Sequence, residues 1–346
     1  MEERRDNEAG LQPKRIPVRR KRDLIERIRE SADKLERDGS SRGDLKLLSR
    51  TLRELRYAFK VFAPYRRQHK VTVFGSARTP ETDPAYLAAV KFGQAMAQRN
   101  WFVVTGAASG IMEAGHVGAG RDHSMGLNIM LPFEQEANPV IEGDSKLVHM
   151  KYFFTRKLMF VKECHAVVCL PGGFGTLDES LEVLTLLQTG KRDLVPVVFL
   201  DAPGGNYWKR FHEFVIAELL DGGMISREDL SLYLRTDVVE AAVDDVIQFY
   251  NVYHSMRYVK DYLVFRLKTR PDDAVMDAIN ERYNGILFSG EFELGSALPE
   301  ERDEPELEEL PRLIFHFDRR SHGQLRQVID ILNQGTDPLG GPKTLG

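Results

Sequence analysis

Residues 165–179 read HAVVCLPGGFGTLDE. An apolar, β-branched run stops at three glycines and a threonine, and an amphipathic segment carrying Asp178 and Glu179 follows. A strand that turns through glycine into a helix exposes backbone N–H groups at the positive end of that helix, an arrangement suited to an anion. Gly172, Gly173 and Gly175 can present amides to a phosphate, and the Thr176 hydroxyl can add another donor. No lysine follows the last glycine, so a triphosphate-binding Walker loop is not indicated. A glycine-rich turn can also be purely structural, and the rest of the chain has to decide between the two.

Working upstream, VTVFGSAR (71–78) is a short strand ending in Gly75-Ser76, and residues 86–99 have helical spacing. WFVVTGAASG (101–110) is a second strand ending in glycine, followed by a helix over 111–120 and a strand over 126–131. AVVCL (166–170) and LVPVVFL (194–200) are further strands separated by helical segments. Strands alternating with helices predict a doubly wound parallel sheet covered on both faces, with ligands at the carboxyl ends of its strands. The glycine clusters at 75, 106–110 and 172–175 all fall at such ends. Gly75, Ser76, Arg78, Gly106, Ser109 and Gly110 are therefore candidates for the same site.

The flanks differ. Residues 1–20 are polar with few large apolar residues, the composition of a disordered basic tail. Two helical patterns follow, through Leu24, Ile25, Ile28 and Leu35 and through Leu45, Leu48, Leu52, Leu55 and Phe59, predicting a helical hairpin over 21–67. The main domain is expected over 68–255, a small α+β domain over 256–335 and a tail over 336–346. In the small domain DYLVFRL, a helix over 272–283, ILFSGEFEL, RLIFHFD and a helix over 322–332 give the order βαββα, part of a ferredoxin-like fold. The acidic insert PEERDEPELEEL (299–310) is expected to be a solvated loop.

Residues 1–70 hold 21 Lys/Arg against 12 Asp/Glu, and the remainder 27 against 40. A basic arm could bind nucleic acid. It lacks interleaved aromatics before Tyr57, so a solvated helical arm resting on an acidic body is the simpler expectation, and nucleic acid is not an expected partner. No apolar run is long enough to span a membrane, and the charged N-terminus has no signal-peptide core. Two cysteines, Cys164 and Cys169, make no disulfide framework, and Cys169 reads as a small buried hydrophobe. A cytoplasmic location is expected. The nine histidines show no metal-ligand spacing, so neither metal nor cofactor is expected.

VVTGAASGIMEAG (103–115) looks like the TGxxxGxG turn of short-chain dehydrogenases. The last glycine of that pattern is Met112, however, and the motif follows the second strand rather than the first. None of the eleven tyrosines has a lysine four positions on. Hydride transfer is disfavoured. In KYFFTRKLMFVKECHA (151–166), Phe153, Phe154, Leu158, Met159 and Val161 predict a buried helix interrupted by Arg156 and Lys157. An arginine amid apolar surface meets a carboxylate or phosphate more often than water, and lysine can snorkel.

Taken together, PGGFGTLDE resembles the PGGxGTxxE signature of the LOG ("lonely guy") family, and Arg156-Lys157 resembles its upstream RK pair. FGSAR (74–78) and TGAASGIMEAG (105–115) look like its first two glycine loops. The resemblance covers roughly residues 70–250. It implies a Rossmann-like fold, a homodimer or higher homo-oligomer with sites near the interface, and a nucleoside 5′-monophosphate as substrate. The implied activity is phosphoribohydrolase, cleaving the N-glycosidic bond to free base and ribose 5-phosphate. The family was long labelled "possible lysine decarboxylases", but no lysine here has a recognisable pyridoxal-phosphate context.

N-glycoside cleavage builds positive charge on the ribose, so a carboxylate near the sugar stabilises it or takes a proton from water. Glu179, expected in the first turn of the helix after the loop, is the candidate. Arg156 is expected to orient it and to contact ribose or phosphate, with Lys157 as a further ligand candidate. Asp178 reads as a residue favoured by the helix dipole, and Glu182 as a neighbour on the face of Glu179. A nucleotide-sensing protein that binds without cleaving is the alternative.

Overall fold

The computed structural model describes residues 21–130 and 136–334. The tails expected at 1–20 and 336–346, the last residue of the strand expected at 126–131 and residue 335 lie outside them. The chain divides into two compact units, Met1–Arg50 and Thr51–Gly346. The first contains α1 (Lys21–Arg37) and the beginning of α2 (Arg42–Phe62), so the dividing line falls inside α2. In this unit Leu24, Ile25, Ile28, Leu45 and Leu48 are exposed.

The second unit begins with the alternation read from the sequence. It runs β1 (Lys70–Phe74), α3 (Pro84–Gln98), β2 (Phe102–Thr105), α4 (Ile111–Ala119) and β3 (Ser124–Ile129), then β4 (Leu147–Met150), α5 (Phe153–Glu163) and β5 (Ala166–Cys169). It continues with α6 (Phe174–Gln188), β6 (Val197–Leu200), α7 (Tyr207–Phe214), β7 (Leu234–Thr236) and α8 (Val239–Gln248). The seven strands form one sheet in the order β4-β3-β2-β1-β5-β6-β7, and every pairing in it is parallel. Strands β1, β2, β5 and β6 are buried on both faces, which is why they read as apolar runs without alternation. The helices start where the chain supplies an N-terminal signal. At α3, Asp83 accepts from Ala85 N and Pro84 occupies the first helical position.

The strand order reverses between β1 and β5. From β1 the chain builds outward through β2, β3 and β4, then returns to the other side of β1 and builds outward again. A doubly wound sheet opens a crevice at such a reversal.

A second sheet comprises β8 (Tyr253–Val259), β9 (Tyr262–Leu267), β10 (Leu287–Gly295) and β11 (Arg312–Phe317), with α9 (Asp273–Tyr283) and α10 (His322–Gln334). It is antiparallel in the order β10-β11-β9-β8. The expected βαββα segment supplies β9 through α10. β8 is an additional strand, begins before residue 256 and occupies the edge beside β9. Tyr250 Oη donates to His165 O at 2.6 Å, and Asn333 Oδ1 accepts from Val252 N and Tyr253 N at 2.7 and 3.0 Å. One continuous apolar core runs through both sheets.

Two expectations need correcting. The acidic insert 299–310 is not simply solvated. Glu301 is buried and accepts from Arg266 Nε at 2.9 Å and Arg312 Nε at 3.1 Å. Glu304 and Asp303 bind Arg257, and Glu304 also binds Arg266. Buried arginines on β9 and β11 need carboxylates, and the insert supplies them. Helix α5 is not buried all round. Its inward stripe is Thr155, Met159, Phe160 and Glu163, whereas Phe153, Phe154 and Leu158 are exposed.

Removing the Glu301 carboxylate strands buried guanidinium groups. Glu301→Ala is expected to lower unfolding free energy by about 3 kcal/mol, read as a reduced urea midpoint with unchanged slope. An unchanged midpoint would show that the insert is dispensable to the small sheet.

Candidate functional site

At the reversal point the loops after β1 and β5 are joined directly. Ser76 N donates to Pro171 O at 3.1 Å. A Cβ at Gly172 would lie 2.1 Å from Thr176 Oγ1 and 3.0 Å from Ser76 N. Tyr207 Oη donates to Gly172 O at 2.6 Å from the far side. Gly172 is thus required by packing. Gly173 and Gly175 are not, since a Cβ at either would meet nothing within 4 Å. What their bareness leaves is an uncovered N-terminus of α6, which no side chain caps. Thr176 N donates to Gly173 O at 3.0 Å, and the N–H groups before it, which have no intrahelical partner at a helix start, can be served by an anion.

The loop after β2 is fixed from behind. Ile111 N donates to Ser76 O at 3.0 Å, and Ser109 Oγ donates to Ala77 O at 2.9 Å. Gly110 adopts φ 66°, and a Cβ there would lie 2.4 Å from Ser76 O. Beneath, the buried His116 Nε2 donates to Met125 O at 3.0 Å, so its Nδ1 is the acceptor that faces Asn138 Nδ2 at 3.2 Å. Burial lowers this imidazole to about 4, so it is neutral at pH 7 and acts as a brace.

A cavity of about 840 Å³ lies over these strand ends, within the usual range for small-ligand sites. Of the candidates, Gly75, Ser76 and Arg78 line it from the β1 loop and Gly106 from the β2 loop. Gly172 and Gly173 line it from the β5 loop and Gly175 and Thr176 from the first turn of α6, with Arg156 and Glu179. Ser109, Gly110 and Lys157 do not line it. Ser109 hydrogen-bonds the β1 loop, Gly110 packs against it, and Lys157 is engaged by carboxylates.

Glu179 is the sixth residue of α6, in its second turn rather than the first, and is only 6% exposed. Burial is the largest influence on its carboxyl and raises it to about 7, against the pull of Lys157 and Arg156 and with help from Asp178 and Glu182. Lys157 Nζ sits 3.8 Å from Glu179 Oε2. The same ammonium lies 2.7 Å from Asp178 Oδ2 and 2.6 Å from Glu182 Oε2, so its charge is largely spent on them. Asp178 is outside the first turn and serves Lys157 instead of the helix dipole. The Arg156 guanidinium lies over the Phe153 and Phe160 rings at 5.0 and 5.7 Å. Its buried Nε has no hydrogen-bond partner among the described residues.

Sequence reasoning missed Tyr207, which lies 35 positions from the carbonyl it holds, and Asn128 at the end of β3. It also missed Phe174, 93% exposed at the first position of α6. Only Phe174 had a local signal, a large apolar residue between two glycines. Among the described residues no group of three His, Cys, Asp or Glu side chains could hold a metal ion.

Fold and cavity define a doubly wound α/β protein with its site at the switch point of the sheet. Residues 105–246 match the family described as "Possible lysine decarboxylase". The chain is 32% identical over 143 residues to cytokinin riboside 5'-monophosphate phosphoribohydrolase LOG1 of Arabidopsis thaliana, covering 40% of this chain and 64% of that one. It is 36% identical over 146 residues to LOG3 of the same plant, covering 40% and 63%. It is 29% identical over 144 residues to the pyrimidine/purine nucleotide 5'-monophosphate nucleosidase of Escherichia coli K12, covering 39% and 32%. The matched stretch therefore spans less than two thirds of each of these relatives. Over residues 105–246 these matches agree with the family resemblance that the motifs carry. Among solved structures, the molybdenum cofactor carrier protein of Chlamydomonas reinhardtii aligns over 53% of this chain and 98% of that one, at 22% identity. Its TM-score is 0.37.

The glycines separate by experiment. Gly172→Ala should lower stability by about 1–3 kcal/mol through overpacking. Gly173→Ala and Gly175→Ala should leave the melting temperature unchanged or slightly higher, because neither added Cβ meets a neighbour. Equal melting temperatures for all three variants would contradict the assignment.

Glu179 sets a pH signature. Its folded value exceeds the ordinary 4.5, so the stability linked to its neutral form is complete below about pH 4.5 and lost as pH rises through 7. Glu179→Gln, always neutral, should gain about 1–3 kcal/mol over the parent between pH 5 and 8, measured by denaturant melts across that range. Parallel curves would place the carboxyl in a solvated setting.

Proposed function

We propose that the protein hydrolyses the N-glycosidic bond of a nucleoside 5′-monophosphate, releasing the free base and ribose 5-phosphate. The observation that carries this reading is the buried carboxyl of Glu179 on the wall of the same cavity as the uncapped, glycine-lined start of α6. The family match of residues 105–246 and the relatives' names support it.

In this proposal the phosphate binds the N–H groups at the start of α6, with Thr176 and the β1 loop beside it, and so holds the sugar at a fixed distance from Glu179. The bond between C1′ and the base nitrogen breaks with its electrons leaving on the base. Arg156, desolvated and without a hydrogen bond at Nε, contacts ribose or phosphate. The Glu179 carboxylate faces the positive charge growing on the sugar and takes a proton from the water that attacks C1′, and the departing base gains a proton. A buried acid with a value near 7 suits this exchange, because it is a stronger base than an ordinary carboxylate and still substantially ionised at neutral pH. Binding energy from the phosphate is used at a remote bond, so free nucleosides should react poorly. A homodimer belongs to the same proposal, and the outward Phe153, Phe154 and Leu158 on α5 offer an apolar face for it.

Purified protein incubated with AMP, GMP, CMP, UMP and a cytokinin nucleotide should release base from at least one. Below pH 7 the value of kcat/KM should rise about tenfold per pH unit, then level off above it. Glu179→Ala should lower kcat by about 10²–10⁴-fold while nucleotide binding persists. Binding without base release by the parent protein would instead identify a nucleotide sensor.

A further inference from the structure

We infer that Asn128 reads the nucleobase and thereby sets which nucleotide the protein prefers, an inference that rests on the nucleotide reading above. Asn128 stands one residue before the end of β3 and borders the cavity. It is 4% exposed, and its buried Nδ2 has no hydrogen-bond partner among the described residues. A buried amide donor without a partner is costly. It is retained where something outside the chain supplies the acceptor.

The carbonyls of the β2 loop already serve a different asparagine. Ala107 O accepts from Asn138 N at 2.8 Å, and Ala108 O accepts from Asn138 Nδ2 at 3.1 Å. Two residues earlier on the same face of β3, Gly126 is closed off, since a Cβ there would lie 2.6 Å from Leu147 and 3.0 Å from Ala107. Beyond that packed layer the cavity begins, and Asn128 stands at its margin.

Position along the sheet selects the part of the ligand. From the β5 loop to the end of β3 the sheet crosses β1 and β2, three strand spacings or about 14 Å. A phosphate held at the start of α6 puts the sugar over the middle strands, beside Arg156, and the base toward β3. A carboxamide places one donor beside one acceptor, the pattern that pairs with a nucleobase edge. A ribose hydroxyl needs only one of them.

The test is steady-state kinetics of the full chain on AMP, GMP, CMP and UMP, with inhibition by ribose 5-phosphate as the base-free control. Asn128→Ala should lower kcat/KM for the preferred nucleotide about tenfold or more and narrow the spread among the four, leaving ribose 5-phosphate inhibition unchanged. Asn128→Asp can only accept, so it should raise the ratio of GMP to AMP, because guanine presents two adjacent donors. That ratio does not depend on the fraction of protein folded, which keeps the test valid if a variant is unstable. An unchanged spread and an unchanged ratio would overturn the inference, whether all ligands weaken together or none does. Failure of the nucleotide reading looks different, because the parent protein would then release no base from any of the four.

Discussion

The reversal of strand order between β1 and β5 is the constraint on which the site depends. Neighbouring strands that send their following chain in opposite directions leave a gap at their carboxyl ends, and here the gap is held to a fixed width. Ser76 N binds Pro171 O, while the absence of a side chain at Gly172 lets Thr176 and the β1 loop close to contact. A strand pair cannot drift apart when its loops share a hydrogen bond and a packing contact. The start of α6 therefore faces the cavity as part of the rigid sheet, and Tyr207 fixes the same loop from behind.

Electrostatics at the site follow from how three acids share one lysine. Asp178 and Glu182 take the short contacts with Lys157, and Glu179 is left with a longer one. Had Lys157 turned wholly to Glu179, the carboxyl would be held ionised at a low value and be a poor base. Because the lysine is occupied, burial dominates and raises it to about 7. Asp178 and Glu182 thus act on Glu179 twice, through their own charge and by engaging its partner. Neither effect could be read from the string LDESLE, since Lys157 lies 21 positions from Asp178.

The features legible in the sequence were those encoded locally. Buried parallel strands announce themselves as runs such as AVVC and VVFL, and the glycines mark where each turns. Strands β4 (LVHM, with His149 exposed) and β7 (LRT, with no fully buried residue) carry no such run. Strand β8 carries a register shift near its start and no clean alternation. Helix α5 was misread because apolar residues occupy both of its faces, and composition does not say which face the sheet covers. The insert at 299–310 looked solvated because its partners, Arg257, Arg266 and Arg312, lie on three other segments. Asn128 gave no signal for a related reason: its meaning lies in the hydrogen bond it fails to make.

Unsatisfied buried groups do not by themselves mark a site. Thr72 and Trp208 also have polar side-chain atoms without partners among the described residues, and neither of them lines the cavity. What separates Asn128 and Arg156 is that their unpartnered nitrogens belong to residues on the cavity wall, together with the uncapped start of α6. Around them the remaining polar groups are committed: Ser109 to Ala77, His116 to Met125 and Asn138, Lys157 to its carboxylates. A site that had merely lost its packing would leave such deficits scattered among its supports. Here those supports are satisfied and the two unpartnered nitrogens of Asn128 and Arg156 lie on the wall of one cavity, where the proposed nucleotide would bring an anionic end and a hydrogen-bonding far edge.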